Sequence, residues 1–155
     1  MFIKAPAGRK RFNVLGALDA VTHELITITN DTYINALCVC ELLKKIAERY
    51  PGMPITLILD NAKYQKCIIV QDLAVSFGIE LLYLPPYSPN LNLIERLWKF
   101  VKKKCLYSKY YSDFTLFKST ITECLGKTHS EYKRELDSLL TFNFQSFKES
   151  QIMSL

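Results

Sequence analysis

No apolar run in these 155 residues approaches the ~18 or more that a membrane-spanning helix needs. The longest, Thr56–Leu59 and Ile79–Leu84 with Glu80 inside it, are far shorter, so no membrane partner is expected. Met1 to Pro6 contains no long apolar stretch of the signal-peptide kind, and a cytoplasmic setting is the expectation. No Pro/Gly/Ser-rich linker divides the chain and no internal repeat runs through it, which leaves a single domain over 1–155. The five cysteines, Cys38, Cys40, Cys67, Cys105 and Cys124, are odd in number and match no zinc or redox spacing. Reduced thiols follow, with Cys38 and Cys40 packed into a core. What is present is core material. Hydrophobic residues make up 49% and aromatic residues 12%, a composition that excludes a disordered or low-complexity chain.

The formal net charge is +5, from 20 Lys and Arg against 15 Asp and Glu. That is mild, but it is unevenly placed. Between Asn92 and Lys109 stand Arg96, Lys99, Lys102, Lys103, Lys104 and Lys109 against Glu95 alone, an excess equal to that of the whole chain. Such a run is either the solvated face of a helix or a surface for a polyanion.

Residues 12–29 read as two strands around a polar turn near Asp19 to Thr22, a hairpin with Ile26 and Ile28 on one face. Ile34, Cys38, Leu42, Ile46 and Tyr50 recur every four residues, predicting an amphipathic helix over 32–50, capped by Asp31 or Thr32 and ended by Pro51-Gly52. Ile55 to Leu59 is apolar without alternation, as in a strand covered on both faces, and it ends at Asp60. A helix over 62–77 is expected from Tyr64, Cys67, Ile68, Gln71 and Val75, with Gly78 as its left-handed cap and a second buried strand over Ile79–Leu84. This strand, helix, strand order implies a parallel pair whose carboxyl ends share one sheet edge, the edge where open α/β sheets bind ligands. Pro85, Pro86 and Pro89 force an extended loop, after which a helix starts near Asn92 with Ile94, Leu97, Val101 and Cys105 as its inner face. Further helices are expected at 112–126 and 130–140, then an aromatic tail with Phe142, Phe144 and Phe147.

Asp60 and Glu95 therefore meet at one edge, with 34 residues between them. Hard divalent cations take carboxylate oxygens held on rigid elements, and a pair of such ions can activate an attacking oxygen and stabilise a leaving one in phosphoryl transfer. Each residue also has a plainer role. Asp60 can cap a helix beginning at Asn61, and Asn92 with Glu95 fits a capping box. His23 reads as an exposed turn residue and His129 as a residue capping or preceding a helix.

The surrounding residues are more specific. Leu59-Asp60-Asn61-Ala62, followed by Leu84-Pro85-Pro86-Tyr87-Ser88-Pro89-Asn90-Leu91-Asn92-Leu93-Ile94-Glu95-Arg96-Leu97-Trp98, resembles the signature of DDE-type transposases, in the group of mariner-like elements and related bacterial insertion sequences. The order of elements over 12–105 is similar to that family's ribonuclease H-like domain, a mixed α/β sheet of a hairpin plus parallel strands flanked by helices. The resemblance implies that Asp60 and Glu95 are the second and third catalytic carboxylates, both ligands of a two-metal Mg²⁺ or Mn²⁺ site. It assigns Asn61 and Trp98 to site support and packing. It also implies a first carboxylate on a central strand upstream of the hairpin, and a helix-turn-helix region upstream of that. Neither has a counterpart in this sequence. Asp19 matches a non-catalytic position of the family's second strand.

Metal-dependent DNA cleavage and strand transfer is thus expected of the complete protein, with the isolated chain inactive or nearly so. Arg9, Lys10, Arg11, Arg96, Lys99, Lys102 and Lys103 are the expected contacts to DNA phosphates, weak and salt-sensitive. The rival reading is a non-catalytic remnant that binds DNA or the intact transposase and regulates it. A general nucleic-acid-binding module leaves the 34-residue pair unexplained. The missing strand should leave its two neighbours unpaired, to be compensated by residues 1–5, by direct pairing of the neighbours, or by a homodimer or strand exchange with another transposase chain.

Overall fold

A computed structural model of the chain describes residues 2–4, 11–86, 92–105, 113–140 and 151–154. The strands are β1 (Phe2–Lys4), β2 (Arg11–Asp19), β3 (Leu25–Asn30), β4 (Ile55–Leu59), β5 (Ile79–Tyr83) and β6 (Gln151–Ser154). The helices are α1 (Ala36–Arg49), α2 (Ile68–Ser76), α3 (Leu93–Cys105), α4 (Phe114–Leu125) and α5 (Lys133–Leu139).

The expected hairpin forms from β2 and β3, in register from Asn13↔Asn30 to Leu18↔Leu25. Its turn is organised by Asp19, whose Oδ1 accepts the Val21 and Thr22 amides at 2.9 and 3.1 Å. The Tyr50 hydroxyl donates to Asp19 Oδ2 at 2.8 Å. A buried carboxylate with these donors serves the turn. His23 departs from its expected exposure. It is only 3% exposed, because a φ of 62° folds it back into the turn, where Nδ1 lies 3.1 Å from Asp137 of α5.

Strand parity divides the core. Phe12, Val14 and Leu18 face a cluster built with α3, α4 and α5, including Leu97, Val101, Phe117, Ile121 and Leu136. Leu15, Ala17 and Ile28 face the opposite cluster, with Val39, Leu42, Leu43 and Ile46 of α1 and Val70 and Ala74 of α2. Strand β4 pairs in parallel with β5, Ile55↔Ile79 through Leu59↔Tyr83, so both carboxyl ends lie at one edge.

Two helix boundaries differ from expectation. Helix α1 is capped by Asn35, which accepts the Cys38 amide at 3.1 Å, and not by Asp31 or Thr32; Asp31 instead pairs with Lys118 of α4. Helix α2 begins at Ile68 after Cys67, and residues 61–67 are irregular, with a turn over 63–65. Asp60 therefore caps no helix. The expected helices over 112–126 and 130–140 are α4 and α5; Phe142, Phe144 and Phe147 lie outside the described residues.

The centre of the sheet holds the main departure. Between β2 and β4, where the family's first strand is expected, lies β6, antiparallel to β2 (Leu18↔Ser154, Asp19↔Met153) and parallel to β4 (Ile55↔Gln151 through Ile58↔Ser154). β1 pairs farther along β2, Phe2↔Asn13 to Lys4↔Arg11. The compensation expected from residues 1–5 is thus shared with a C-terminal segment of the same chain.

Candidate active site

Asp60 follows the last residue of β4, and the Leu84 amide donates to the Leu59 carbonyl at 2.9 Å, holding the two chain exits side by side. Asn92 joins this edge to α3. It is fully buried, its Nδ2 donates to Asp60 Oδ1 at 3.2 Å, and its Oδ1 accepts the Ile94 amide at 3.4 Å. Its backbone carbonyl accepts the Glu95 amide at 3.1 Å. One side chain therefore ties the strand-end carboxylate to the helix turn that carries the other. The local pattern marks Asn92 only as a cap; its bond to Asp60 links residues 32 apart in sequence, which such a pattern does not show.

The carboxylates act on each other electrostatically. Burial raises the Glu95 pKa above the ordinary carboxylate value, the charge of Asp60 raises it further, and Lys102 and Lys99 oppose the shift. Among the described residues the Glu95 carboxylate takes no hydrogen bond. Tyr64, in the turn after Asp60, feels both groups: burial raises its pKa first, then Asp60 and Glu95. Tyr64 thus belongs to this neighbourhood, although its spacing placed it on a helix.

Helix α3 is seated by its buried face, Leu93, Ile94, Leu97, Trp98, Phe100, Val101 and Cys105. Trp98 packs across Gly16 of β2, where an added Cβ would stand 2.7 Å from the Trp98 Cη2. An isolated glycine in a strand pattern signals such close approach. Asn61 turns to its own loop, accepting from Lys66 Nζ at 2.8 Å.

The expected phosphate contacts divide by helical position. Lys99 and Lys102, four and seven residues after Glu95, share its face. Arg96 and Lys103 lie beside that face and, with Lys99 and Phe100 of α3 and Glu135, Ser138 and Leu139 of α5, line an open cavity of about 610 Å³. Lys104 points elsewhere, pairing with Glu135 at 3.1 Å and lying 5.5 Å from the Phe100 and Tyr132 ring centres. Arg11 is exposed at the start of β2; Arg9, Lys10 and Lys109 lie outside the described residues.

The donor chemistry of Asp60 and Glu95, two carboxylates whose mutual repulsion a cation would relieve, suits Mg²⁺ or Mn²⁺. Among the described residues no cluster of three or more His, Cys, Asp or Glu forms. The fit is therefore right in ligand type and short by at least one protein donor.

Comparison with known proteins bears on the family and the fold. The model of the DDE superfamily endonuclease family matches residues 2–118. An uncharacterised protein of Sinorhizobium fredii is 33% identical over 73 residues, 47% of this chain and 50% of that protein. An uncharacterised 39 kDa protein of insertion element IS630 from Shigella sonnei is 30% identical over 99 residues, 63% of this chain and 29% of that protein. The chain thus spans half or less of the length of these curated relatives. The structure of the Mos1 transposase catalytic domain with raltegravir and Mg superposes with a TM-score of 0.60 at 15% identity, covering 94% of this chain and 82% of that one. The catalytic core domain of BIV integrase gives a TM-score of 0.50 at 15% identity, covering 89% and 91%. The fold is the ribonuclease H-like fold of transposase and integrase catalytic domains, and the chain belongs to the DDE superfamily endonucleases, beside the mariner-like and insertion-sequence transposases it resembles.

Proposed function

We propose that this chain is the greater part of the catalytic domain of a DNA transposase, with Asp60 and Glu95 as two carboxylates of its cleavage and strand-transfer site. The observation that carries this reading is the Asp60–Asn92–α3 linkage, which brings both acids to the carboxyl edge of the sheet beside a basic helix face. Asp60 and Glu95 would hold Mg²⁺ or Mn²⁺, which when bound supplies activation of the attacking oxygen and stabilisation of the leaving one.

The chain's own residues do the remainder. Asn92 fixes the Asp60 carboxylate by donating to one of its oxygens and leaves the other for a ligand. The raised Glu95 pKa keeps that carboxyl responsive to an incoming cation, because an ion removes the repulsion that favours its protonation. Lys99 and Lys102 hold the phosphate backbone on the Glu95 face, and Arg96 and Lys103 extend that contact into the groove toward α5. Trp98 against Gly16 sets the depth at which α3 sits. Asn61 supports the site through the turn that follows Asp60.

With two carboxylates, the chain alone is expected to be inactive or nearly so. The test is plasmid cleavage and strand transfer with Mg²⁺ or Mn²⁺, by the 155-residue chain and by a version extended upstream with an acidic central strand. The expected result is activity only in the extended version, lost by on the order of 10³-fold or more in its Asp60→Ala/Glu95→Ala variant, a typical cost for removing essential site groups. An active double variant would overturn the site assignment, and robust strand transfer by the 155-residue chain would overturn its inactivity. The rival, a non-catalytic chain that binds DNA or an intact transposase, is favoured by the absence of a third acid from the described cluster. An inactive extended version whose DNA binding is unchanged by Asp60→Ala would establish it.

A further inference from the structure

The turn of the β2–β3 hairpin meets α5 through one histidine. His23 is 3% exposed although it stands at a chain reversal, and its φ of 62° lies in the left-handed region that residues other than glycine seldom enter. Its Nδ1 stands 3.1 Å from Oδ1 of Asp137 on α5. That nitrogen is buried and lacks the alignment of a hydrogen bond, so the contact has the distance of a bond without its full strength. Release of the ring would therefore forfeit little bonding and relieve backbone strain.

The same Asp137 oxygen takes Lys133 Nζ at 3.0 Å, from one turn earlier on α5. Two groups able to carry positive charge thus converge on one carboxylate oxygen. The groups that act on His23 are Lys133 and Asp137 of α5 and Asp19 of its own turn, and Asp19 is already engaged by the Val21 and Thr22 amides and the Tyr50 hydroxyl. A neutral imidazole leaves Lys133 and Asp137 balanced. A protonated one adds a second cation beside an oxygen that Lys133 already neutralises, in a place closed to water. Burial first, then Lys133, outweigh the attraction of Asp137 and Asp19, and the His23 pKa is held below its ordinary value.

Helix α5 carries this contact to the basic helix. Of its seven residues Leu136 alone is buried, so few anchors hold it. Its Glu135 pairs with Lys104 of α3 at 3.1 Å, and the Leu139 carbonyl accepts from Arg96 Nη1 at 3.5 Å. Glu135, Ser138 and Leu139 form the wall that faces Arg96, Lys99 and Lys103 across the open cavity.

We propose that His23 is a proton-operated latch: neutral, it holds the hairpin turn against Asp137 of α5, and protonated, it swings out to water and frees α5 from the turn. Acid then loosens one wall of the basic groove. Any effect on DNA held there rests on the reading of that groove as a phosphate contact; the latch itself does not.

Amide exchange on the full 155-residue chain, without metal or DNA, tests the latch. Rates at pH 7.5 and pH 5.5 are each divided by the intrinsic rate at that pH. The probes are the Leu136 and Leu140 amides, bonded to the Tyr132 and Leu136 carbonyls. One proton bound only in the released state lowers protection by at most about tenfold over this range, so a several-fold loss is expected. His23→Asn accepts the left-handed backbone and does not titrate, and it should show no loss. Equal protection at both pH values in the unmodified chain, or the same loss in the variant, would overturn the latch. An NMR titration of the unmodified chain answers independently of that variant's folding. The His23 midpoint should fall below the ordinary imidazole range and coincide with the shift of the Leu136 amide, and a midpoint at or above that range sinks the proposal. Lys133→Gln, at a partly exposed position, removes the opposing cation and should raise the midpoint; a midpoint that does not rise refutes the charge balance on which the latch depends. A latch that titrates as expected in a chain with no affinity for DNA would stand while the phosphate reading of the groove falls.

Discussion

Replacing Gly16 by alanine tests how closely α3 is pressed onto the sheet. The new Cβ would lie 2.7 Å from Trp98 Cη2, 3.0 Å from Trp98 Cζ2 and 3.2 Å from Leu25 Cδ1. Ordinary carbon–carbon contact is about 3.5–4.0 Å, so a rigid ring must retreat by roughly an ångström. Trp98 is 6% exposed among Leu97, Val101 and Phe12 and has little room for that. Two effects compete. At a backbone conformation alanine tolerates, Gly→Ala stabilises by about 0.4–1 kcal/mol through the unfolded chain, and Gly16 has no positive φ to forbid it. Overpacking a filled core costs about 1–3 kcal/mol, and the overlap here is with ring atoms, so overpacking wins. A net loss of about 1–2 kcal/mol should lower the melting temperature by about 2–8 °C for a domain of this size. Trp98→Phe removes the benzo-ring atoms that the Cβ would meet. In that background Gly16→Ala should be neutral or stabilising, giving a coupling of about 1–3 kcal/mol in a double-mutant cycle, read by urea unfolding of the four proteins. Additive costs, or a Gly16→Ala chain as stable as the parent, would refute the claim that this contact sets the seat of the helix bearing Glu95.

Tyr50→Phe deletes the donor to Oδ2 of the buried Asp19 carboxylate and should cost about 1.5–3 kcal/mol in urea unfolding, as for a hydrogen bond to a charged group; a loss below about 0.5 kcal/mol would show that this bond does not help hold Asp19 in place. Burial and Asp60 raise the Glu95 pKa, so its stabilising contribution is full below the ordinary carboxylate range and lost as pH rises through the raised value. Glu95→Gln should therefore melt higher than the parent at neutral pH and converge with it in acid, and a variant that melts lower at neutral pH contradicts this. Saturating Mg²⁺ should raise the parent's melting temperature and leave Asp60→Asn/Glu95→Gln unmoved; equal shifts in both would place the ion elsewhere. Lys99→Gln/Lys103→Gln should lower the salt slope of DNA binding by about one to two, near 0.9 for each phosphate no longer neutralised, while Lys104→Gln, whose partners are Glu135 and two rings, should leave that slope unchanged.

The parts of the fold legible in sequence are those whose pattern is decided by burial along one element. The largely apolar run Ile55–Leu59 announces a buried strand, and its Ile55, Leu57 and Leu59 pack into the cluster built with α1 and α2. The 94, 97, 101, 105 spacing announces the buried face of α3. Residues 61–67 misled because Tyr64 and Cys67 fall at helical spacing from Ile68 and Gln71. The residue this segment buries is Gln65, whose carbonyl accepts the Tyr83 hydroxyl at 2.7 Å, while Tyr64 stays partly exposed within the electrostatic reach of the two acids. The N-cap of α1 misled for a similar reason. Asp31, Thr32 and Asn35 are all competent caps, and Asp31 is occupied by a lysine 87 residues away.

The same distinction separates the site from the strand lane between β2 and β4. Each half of the site lies in a contiguous motif, Asp60 at a strand end and Glu95 in the first turn of a helix, and parallel pairing of β4 with β5 brings the halves together with no further information. What completes the junction, Asn92 reaching Asp60, is one bond across a geometry already set. The lane has no such local specification. Gln151–Ser154 is too short for its apolar pattern to declare a strand, and its place follows from a demand made elsewhere, by β2 and β4, whose inner edges would otherwise face each other without a partner. A demand of this kind selects main-chain pairing before side-chain identity.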